Sequence, residues 1–198
     1  MFQLKDCISY LLFFLFRKNF DECVVPTDWK CANISPIKKG SKNKVDNYRP
    51  VSLTSQICKL FESIIRNSVV HYLETNALIL YSQHGFTKGL FCLSSLLTFL
   101  DIVSSMTDSG NNVDVIFMDF AKAFDKVPHV HLGQKLESHG ITGKLHKWIM
   151  NWLSGRKQRV CIYGVLSVWK FVLSGVPQGS VLGPVSYTHL TLPTILRV

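Results

Sequence analysis

Val115–His129 reads VIFMDFAKAFDKVPH, and the choice of fold class turns on this stretch. An apolar run, Val113 and Val115 to Met118, ends abruptly in a carboxylate, Asp119. Four of those five apolar residues are β-branched or aromatic, so the run predicts a strand buried on both faces. An acid at the end of such a strand is costly if it stays buried and unpaired. It makes sense where it emerges to meet water, a cation or a basic partner. Phe124 and a second acid, Asp125, follow, and Pro128 opens the next element. The pattern by itself favours the plainer reading, a strand followed by a helix that Asp125 caps.

A second stretch changes that weighing. Gly175–Gly183 reads GVPQGSVLG, with three glycines and Pro177 in a short span and Gln178 as its one long polar side chain. Such a backbone turns tightly and lets another group approach closely. Taken together and in this order, the two stretches resemble motifs A and B of a reverse transcriptase. The similarity is closest to the polymerases of non-LTR (LINE-type) retrotransposons, whose motifs read much like F-x-D-F-x-K-A-F-D-x-V-P-H and G-V-P-Q-G-S-V-L-G-P. The resemblance runs from about Val25 to Pro184.

Composition agrees with a folded, basic protein. The 198 residues are 47% hydrophobic, enough for a core, and 22 Lys plus Arg against 13 Asp plus Glu give a formal charge of +9. That excess suits a polyanion or an anionic membrane surface and does not choose between them. Six scattered cysteines without C-x-x-C spacing read as reduced thiols rather than a disulfide framework, and the histidines near His129 lack the cysteine pair of a zinc site. The N-terminal apolar run Ile8–Phe16 is shorter than the roughly 20 residues of a membrane span and has no signal cleavage site. Leu4, Ile8, Leu11, Leu12 and Leu15 fall at helical spacing, which predicts a buried helix. An intracellular chain, in nucleus or cytoplasm and without a membrane partner, is the resulting expectation.

Ala32–Ile37 predicts a short strand, followed by a lysine-rich loop carrying Lys38, Lys39, Lys42 and Lys44 before Arg49. Lys42 and Lys44 read as solvated, whereas Arg49 sits between Tyr48 and Pro50 and has a fixed role. A long helix follows over Ser55–Glu74, capped by Thr54 or Ser55 and stopped near Asn76, with Ile57, Leu60, Phe61, Ile64, Ile65, Val69 and Tyr72 on its apolar face. It is assigned no chemistry. A second helix spans about Cys92–Met106 with a leucine face; a third, Val130–Ser138, is closed by Gly140; a fourth, Lys144–Leu153, is anchored by Trp148 and Trp152. Two short strands joined near Gly164 complete the reading. The cluster Arg156, Lys157 and Arg159 is either an exposed turn or a phosphate-backbone contact.

The resemblance implies an α+β fold: right-hand polymerase fingers plus a partial palm, an incomplete antiparallel palm sheet with packed helices. Residues 1–110 are expected to form the fingers and an N-terminal helical region, residues 111–184 part of the palm, and residues 185–198 a non-native tail. It implies an RNA-directed DNA polymerase, a nucleotidyltransferase acting on an RNA template, a DNA primer and deoxynucleoside triphosphates. Two Mg2+ ions serve such chemistry by activating the 3′-hydroxyl and stabilising the phosphoryl centre. Asp119 is then the catalytic metal ligand, with the Phe120 carbonyl beside it. Arg49 and one of Lys38 and Lys39 hold the triphosphate, a task that suits guanidinium and ammonium groups. Phe124 lies beneath the sugar, where a ring excludes a 2′-hydroxyl; Gln178 and Gly179 meet the nucleotide and template base. Asp125 is structural, as a cap or a partner of Lys126. Gly85, Phe86 and Lys88, within SQHGFTKG, are similar to a segment near the template, although Thr87, Leu90 and Phe91 stand where relatives carry arginine and serine. Arg156, Lys157 and Arg159 are similar to a W-L-S-x-R-x-Q-x-V string, which favours nucleic-acid contact.

One expected part is missing. The family's aromatic-x-Asp-Asp motif C has no counterpart, for no Asp-Asp pair occurs in the sequence and its last Asp is Asp125. A single carboxylate does not hold two cations at useful affinity, so this chain is expected to be a fragment of the polymerase, inactive as it stands. The alternative is a non-catalytic, basic RNA- or DNA-binding remnant.

Overall fold

The computed structural model describes residues 2–40 and 44–188. It is a mixed α+β structure that opens with α1 (Phe2–Glu22), a 3-10 turn at Thr27–Lys30, β1 (Cys31–Lys38) and β2 (Tyr48–Leu53). Then come α2 (Gln56–Thr75), α3 (Cys92–Asp108), a 3-10 turn at Ala123–Lys126, α4 (His129–Ser138) and α5 (Gly143–Leu153). β3 (Lys157–Ile162), β4 (Val165–Leu166), β5 (Lys170–Phe171) and α6 (Leu182–Thr188) end the described chain. Lys42 and most of the expected tail lie outside the described residues.

The sheet runs β2-β1-β3-β4, with β5 also paired to β3. β1 and β2 are antiparallel, Ile34 opposite Ser52 and Ile37 opposite Arg49. β1 and β3 are parallel, Cys31 opposite Lys157, so the sheet is mixed rather than antiparallel. The reason is topological: the chain crosses over through four helices between β1 and β3, and a crossover returns the second strand in the direction of the first. Strands from either side of residue 110 therefore share one sheet. Tyr163 and Gly164, both at positive φ, make the tight turn that sends the chain back along β3.

The core lies between α2, α4 and α5. Trp148, Trp152, Leu73, Leu132 and Leu136 are fully buried there, and Phe61 joins Trp148 edge-on at 5.1 Å while stacking on Phe16 at 4.6 Å. Such rings bury large areas, and deleting one costs about 3–5 kcal/mol. The predicted helix ends hold well: the Ser55 hydroxyl accepts from the Cys58 N–H, Asn76 ends α2, and Gly140 follows α4 at φ +79°.

Three expectations are corrected. α1 is a helix, yet not a buried one: Ile8, Leu11 and Leu15 are exposed, while the stripe of Leu12, Phe16, Asn19 and Phe20 is turned to the body and Asp21 pairs with Lys144 of α5 at 2.6 Å. The buried face of α2 is turned from the predicted one, with Cys58, Phe61, Glu62, Ile65, Val69 and Leu73 inside and Ile57, Leu60, Ile64 and Tyr72 outside. The largest difference is at Val113–Met118. Residues 111–120 are coil without a pairing strand among the described residues, and Ile116 and Phe117 are each 83% exposed. A strand exists only where a neighbour completes its hydrogen bonds, and no described strand runs beside this one. No helix among the described residues is long and apolar enough to cross a membrane.

Candidate functional site

The glycine-rich stretch Gly175–Gly183 folds as a loop lying across the free edge of β2. The Ser52 N–H points away from β1 and donates to the Gln178 carbonyl at 2.7 Å. An otherwise open strand edge is thereby satisfied by the loop. At the other end of the loop, the Gly175 and Val176 N–H groups donate to the carbonyls of Val127 and Phe124, both at 2.8 Å. The Ser174 hydroxyl donates to the Asp125 carbonyl, and His129 Nε2 donates to the Gly175 carbonyl at 2.8 Å.

These contacts explain two of the glycines. Gly175 sits at φ +86°, and a Cβ there would lie 2.6–2.7 Å from the Asp125 and Phe124 carbonyl oxygens. Gly179 sits at φ +107° with the Ser52 carbonyl 3.1 Å from where its Cβ would be. Both positions need the left-handed backbone and the missing side chain at once. The turn Ala123–Lys126 and the glycine-rich loop are thus one packed unit, although about fifty residues separate them in sequence.

A cleft of about 430 Å³ opens between this unit and the sheet, lined among others by Ile34, Ser52, Asp125, Arg156, Lys157 and Gln178. Two polar atoms of its wall lack hydrogen-bond partners among the described residues: Oε1 of Gln178, an acceptor, and Nη2 of Arg156, a donor. Both atoms are buried in the wall itself, where polar groups are ordinarily satisfied. Gln178 lines this cleft together with Gly175.

Phe124 is half-buried and packs on the core. Lys38, Lys39 and Arg49 are exposed at the outer end of the β1–β2 hairpin, where the Lys39 N–H donates to the Asn47 carbonyl at 2.7 Å. Because side chains alternate along a strand, Arg49 shares a face with Ile37, and Lys38 takes the opposite face with Tyr48. Asp46 just before Arg49 forms an ion pair at 2.8 Å with Lys122 on the Asp119–Asp125 stretch. The Lys122 ammonium holds the Asp46 carboxyl below its ordinary range, and Asp46 in return raises Lys122.

Asp119 and Phe120 lie apart from the cleft, on the exposed coil, and Asp119 makes no hydrogen bond or ion pair among the described residues. Gly85, Phe86 and Lys88 form an exposed turn, Phe86 at φ +60°, that does not line the cleft. Asp125 caps no helix, since α4 begins after Pro128; it contributes its carbonyl to the loop instead.

The basic cluster divides. Arg156, expected on an exposed turn or against a phosphate backbone, is 2% exposed. Its Nη1 donates to the Trp152 carbonyl at 3.2 Å and its guanidinium stacks on the Trp152 ring at 5.1 Å. Burial lowers its pKa, with Glu62 pulling it back up. Lys157 and Arg159 instead stand beside aromatics of the returning strand, Lys157 4.8 Å from Phe171 and Arg159 4.4 Å from Trp169. Arg159 is further fixed by donating to Asn33 Oδ1 at 2.8 Å. Sequence reading missed Trp169 and Phe171, which alternate with polar residues in the way the two basic side chains do.

Among the described residues no three His, Cys, Asp or Glu side chains come together to hold a metal ion. One exposed carboxylate does not fit the two-cation site that the sequence resemblance implies, and no chemical step is derived through such ions.

A family model described as reverse transcriptase (RNA-dependent DNA polymerase) matches residues 37–196. The chain belongs to the reverse transcriptase family. The match of this reverse transcriptase domain continues across most of the 185–198 stretch expected to be a foreign tail. Among its relatives, the probable RNA-directed DNA polymerase from transposon X-element of Drosophila melanogaster is 32% identical over 164 residues, 82% of this chain and 18% of that protein. The RNA-directed DNA polymerase from mobile element jockey of Drosophila funebris is 33% identical over 81% of this chain and 18% of its own length. The jockey polymerase of Drosophila melanogaster is 30% identical over 93% of this chain and 20% of its own. The reverse transcriptase domain is of the non-LTR, LINE type, and the chain spans about a fifth of the length of the curated relatives it matches. The family as a whole uses divalent metal ions, RNA templates and nucleotide substrates.

Proposed function

We propose that this chain is the nucleotide- and template-holding part of an RNA-directed DNA polymerase, with residues 1–110 as fingers and 111–184 as a portion of the palm. One observation carries the reading: the glycine-rich loop is docked on both the β2 edge and the Phe124–Val127 turn, and brings Gln178 into the wall of the cleft beneath. A deoxynucleotide takes that seat with its base or template partner against Gln178, while Phe124 and Gly179, which do not line the cleft wall, support the seat from the turn and the loop. Its triphosphate extends toward the outer end of the β1–β2 hairpin, where Arg49 and a lysine grip it. The alternation of the strand favours Lys38 over Lys39, because Lys38 shares the face of Ile34 and Ser52 that lines the cleft, whereas Arg49 stands on the other face and reaches the phosphates around the strand end. Asp119 is the acid this chain contributes to catalysis in the intact parent polymerase; alone it does not polymerise. The site of action is the nucleus or cytoplasm.

The basic and aromatic strip formed by Lys157, Arg159, Trp169 and Phe171 favours a second role, non-catalytic binding of RNA or DNA. Cations and ring faces side by side suit a phosphate backbone with unstacked bases. Both readings are tested with one labelled RNA–DNA primer-template. Purified chain is expected to bind it with an affinity that falls steeply as salt rises, while extension with Mg2+ and all four deoxynucleoside triphosphates yields no product. Gln178→Ala should weaken deoxynucleotide binding and spare primer-template binding; Arg159→Glu should do the reverse. Absent or salt-insensitive primer-template binding sinks both readings, and template-dependent incorporation by the chain overturns its assignment as inactive.

A further inference from the structure

Glu62 is the most buried acid of the described chain, and nothing in the sequence marks it as more than a member of a scaffold helix. Its side chain is 0% exposed. Oε1 accepts from the Trp152 indole N–H at 3.1 Å and from the Cys58 thiol at 3.3 Å. Oε2 accepts from the backbone N–H groups of Val181 at 2.7 Å and Leu182 at 3.3 Å. The buried Arg156 guanidinium lies near enough for its charge to be felt, and burial next to Glu62 pushes the Cys58 thiol up.

A buried carboxylate is expensive unless its lone pairs are filled and its charge is balanced. Glu62 meets both conditions, and half of its hydrogen bonds go to the loop. Val181 is the residue just before α6 and Leu182 its first residue, and the leading N–H groups of a helix have no partner inside it. Glu62 thus caps, from α2, the C-terminal side of the same loop that Ser52, Phe124 and Val127 hold from its other side.

We propose that Glu62 is a positioning residue that fixes the Gly175–Gly183 loop, and through it Gln178 in the cleft. The consequence for nucleotide rests on the function proposed above; the anchoring of the loop does not. Glu62→Gln keeps the shape but replaces one acceptor oxygen with a donor NH2, which confronts either Val181 and Leu182 or Trp152. Trp152→Phe removes the indole donor and leaves the loop bonds in place.

Amide hydrogen exchange on the whole chain decides the matter. Glu62→Gln is expected to speed exchange at Val181 and Leu182 by roughly tenfold or more, with smaller changes in α2 and α5, because local opening is read separately from global unfolding. Trp152→Phe is expected to leave those two amides protected relative to the rest of the core. Unchanged exchange at Val181 and Leu182 in Glu62→Gln overturns the proposal. So does an equal acceleration throughout α2, α5 and the loop, or the same loop-selective acceleration in Trp152→Phe. Deoxynucleoside triphosphate affinity, measured on the same proteins, should weaken in Glu62→Gln while primer-template affinity stays. Loop-selective loosening with unchanged nucleotide affinity would overturn the link from Glu62 to the cleft. Failure of the unsubstituted chain to bind nucleotide counts against the polymerase reading, and exchange still judges Glu62.

Discussion

The glycine-rich loop and the first part of the Val115–His129 stretch, up to Phe120, come from the two motifs by which the family is read, and they end up in opposite physical states. The loop has little apolar mass, yet it is tied at Gly175, Val176, Gln178, Val181 and Leu182 to β2, α2 and the Phe124–Val127 turn. The segment is one of the most apolar runs of the chain and holds no ladder, with Val115, Ile116, Phe117, Met118 and Phe120 all exposed. Hydrophobic content by itself therefore builds neither. A loop is ordered by the specific N–H and C=O groups that receive it, whereas a strand needs a whole neighbouring backbone. The chain supplies the first kind of partner for motif B, and its described strands do not supply the second for motif A.

The sharpest way to break this comparison is to remove the loop's fit. Gly175→Ala forces a side chain into the left-handed region and onto two carbonyl oxygens. It is expected to cost roughly 3 kcal/mol or more in chemical denaturation. Gly110→Ala is the control: its φ is +79°, but nothing lies within 4 Å of its Cβ position, so about 1 kcal/mol is expected from backbone strain alone. Equal losses at the two positions would mean that the loop is not clasped by the turn.

This contrast also marks how much was legible beforehand. Helix positions and ends were, because they rest on local spacing and on single residues such as Ser55, Asn76 and Gly140. The turn at Gly164 was legible for the same reason. Which face of a helix is buried was not: Glu62 falls in register with Cys58, Ile65 and Val69, so counting by four would have exposed an acid on the inner stripe. Arg156 was misjudged because its partners, the Trp152 ring and carbonyl, belong to the preceding helix end and leave no mark beyond one aromatic four residues back. The packing of loop on turn left no local signal, since the two meet across a long sequence separation.

A smaller effect is expected from the exposed segment. Phe117→Ser, with Ile116→Ser, should change unfolding free energy by no more than about 1 kcal/mol, because both side chains are largely exposed and what is lost is the contact of Phe117 with the Phe99 ring at 6.0 Å. Self-association at high protein concentration, followed by light scattering, should fall, since an exposed apolar segment without a pairing strand is open to pairing with another copy. Asp119→Asn should leave the melting temperature unchanged on the same grounds. A clear loss of stability in any of these variants would mean that the segment is paired in solution and that the contrast with the loop is weaker than drawn.

The smallest effect concerns the point at which the two regions join. Lys122, at φ +54°, ends the exposed coil and is pinned to Asp46 before the Ala123–Lys126 turn begins. Asp46 is lowered from its ordinary 3.8, so its share of the tether is complete above that pH and is lost as pH falls through the lowered value. Lys122 is raised from 10.5, so its share is complete below that pH and is lost as pH rises through the raised value. Both side chains are well exposed, and such pairs contribute little and are screened by salt. The decisive measurement is accordingly a titration and not a melt. The Asp46 carboxyl, followed by NMR, should titrate below its ordinary range at low salt and return toward it in Lys122→Met. An Asp46 midpoint indifferent to that substitution would show that the coil reaches the turn untethered, and that the ordered region begins only at Phe124.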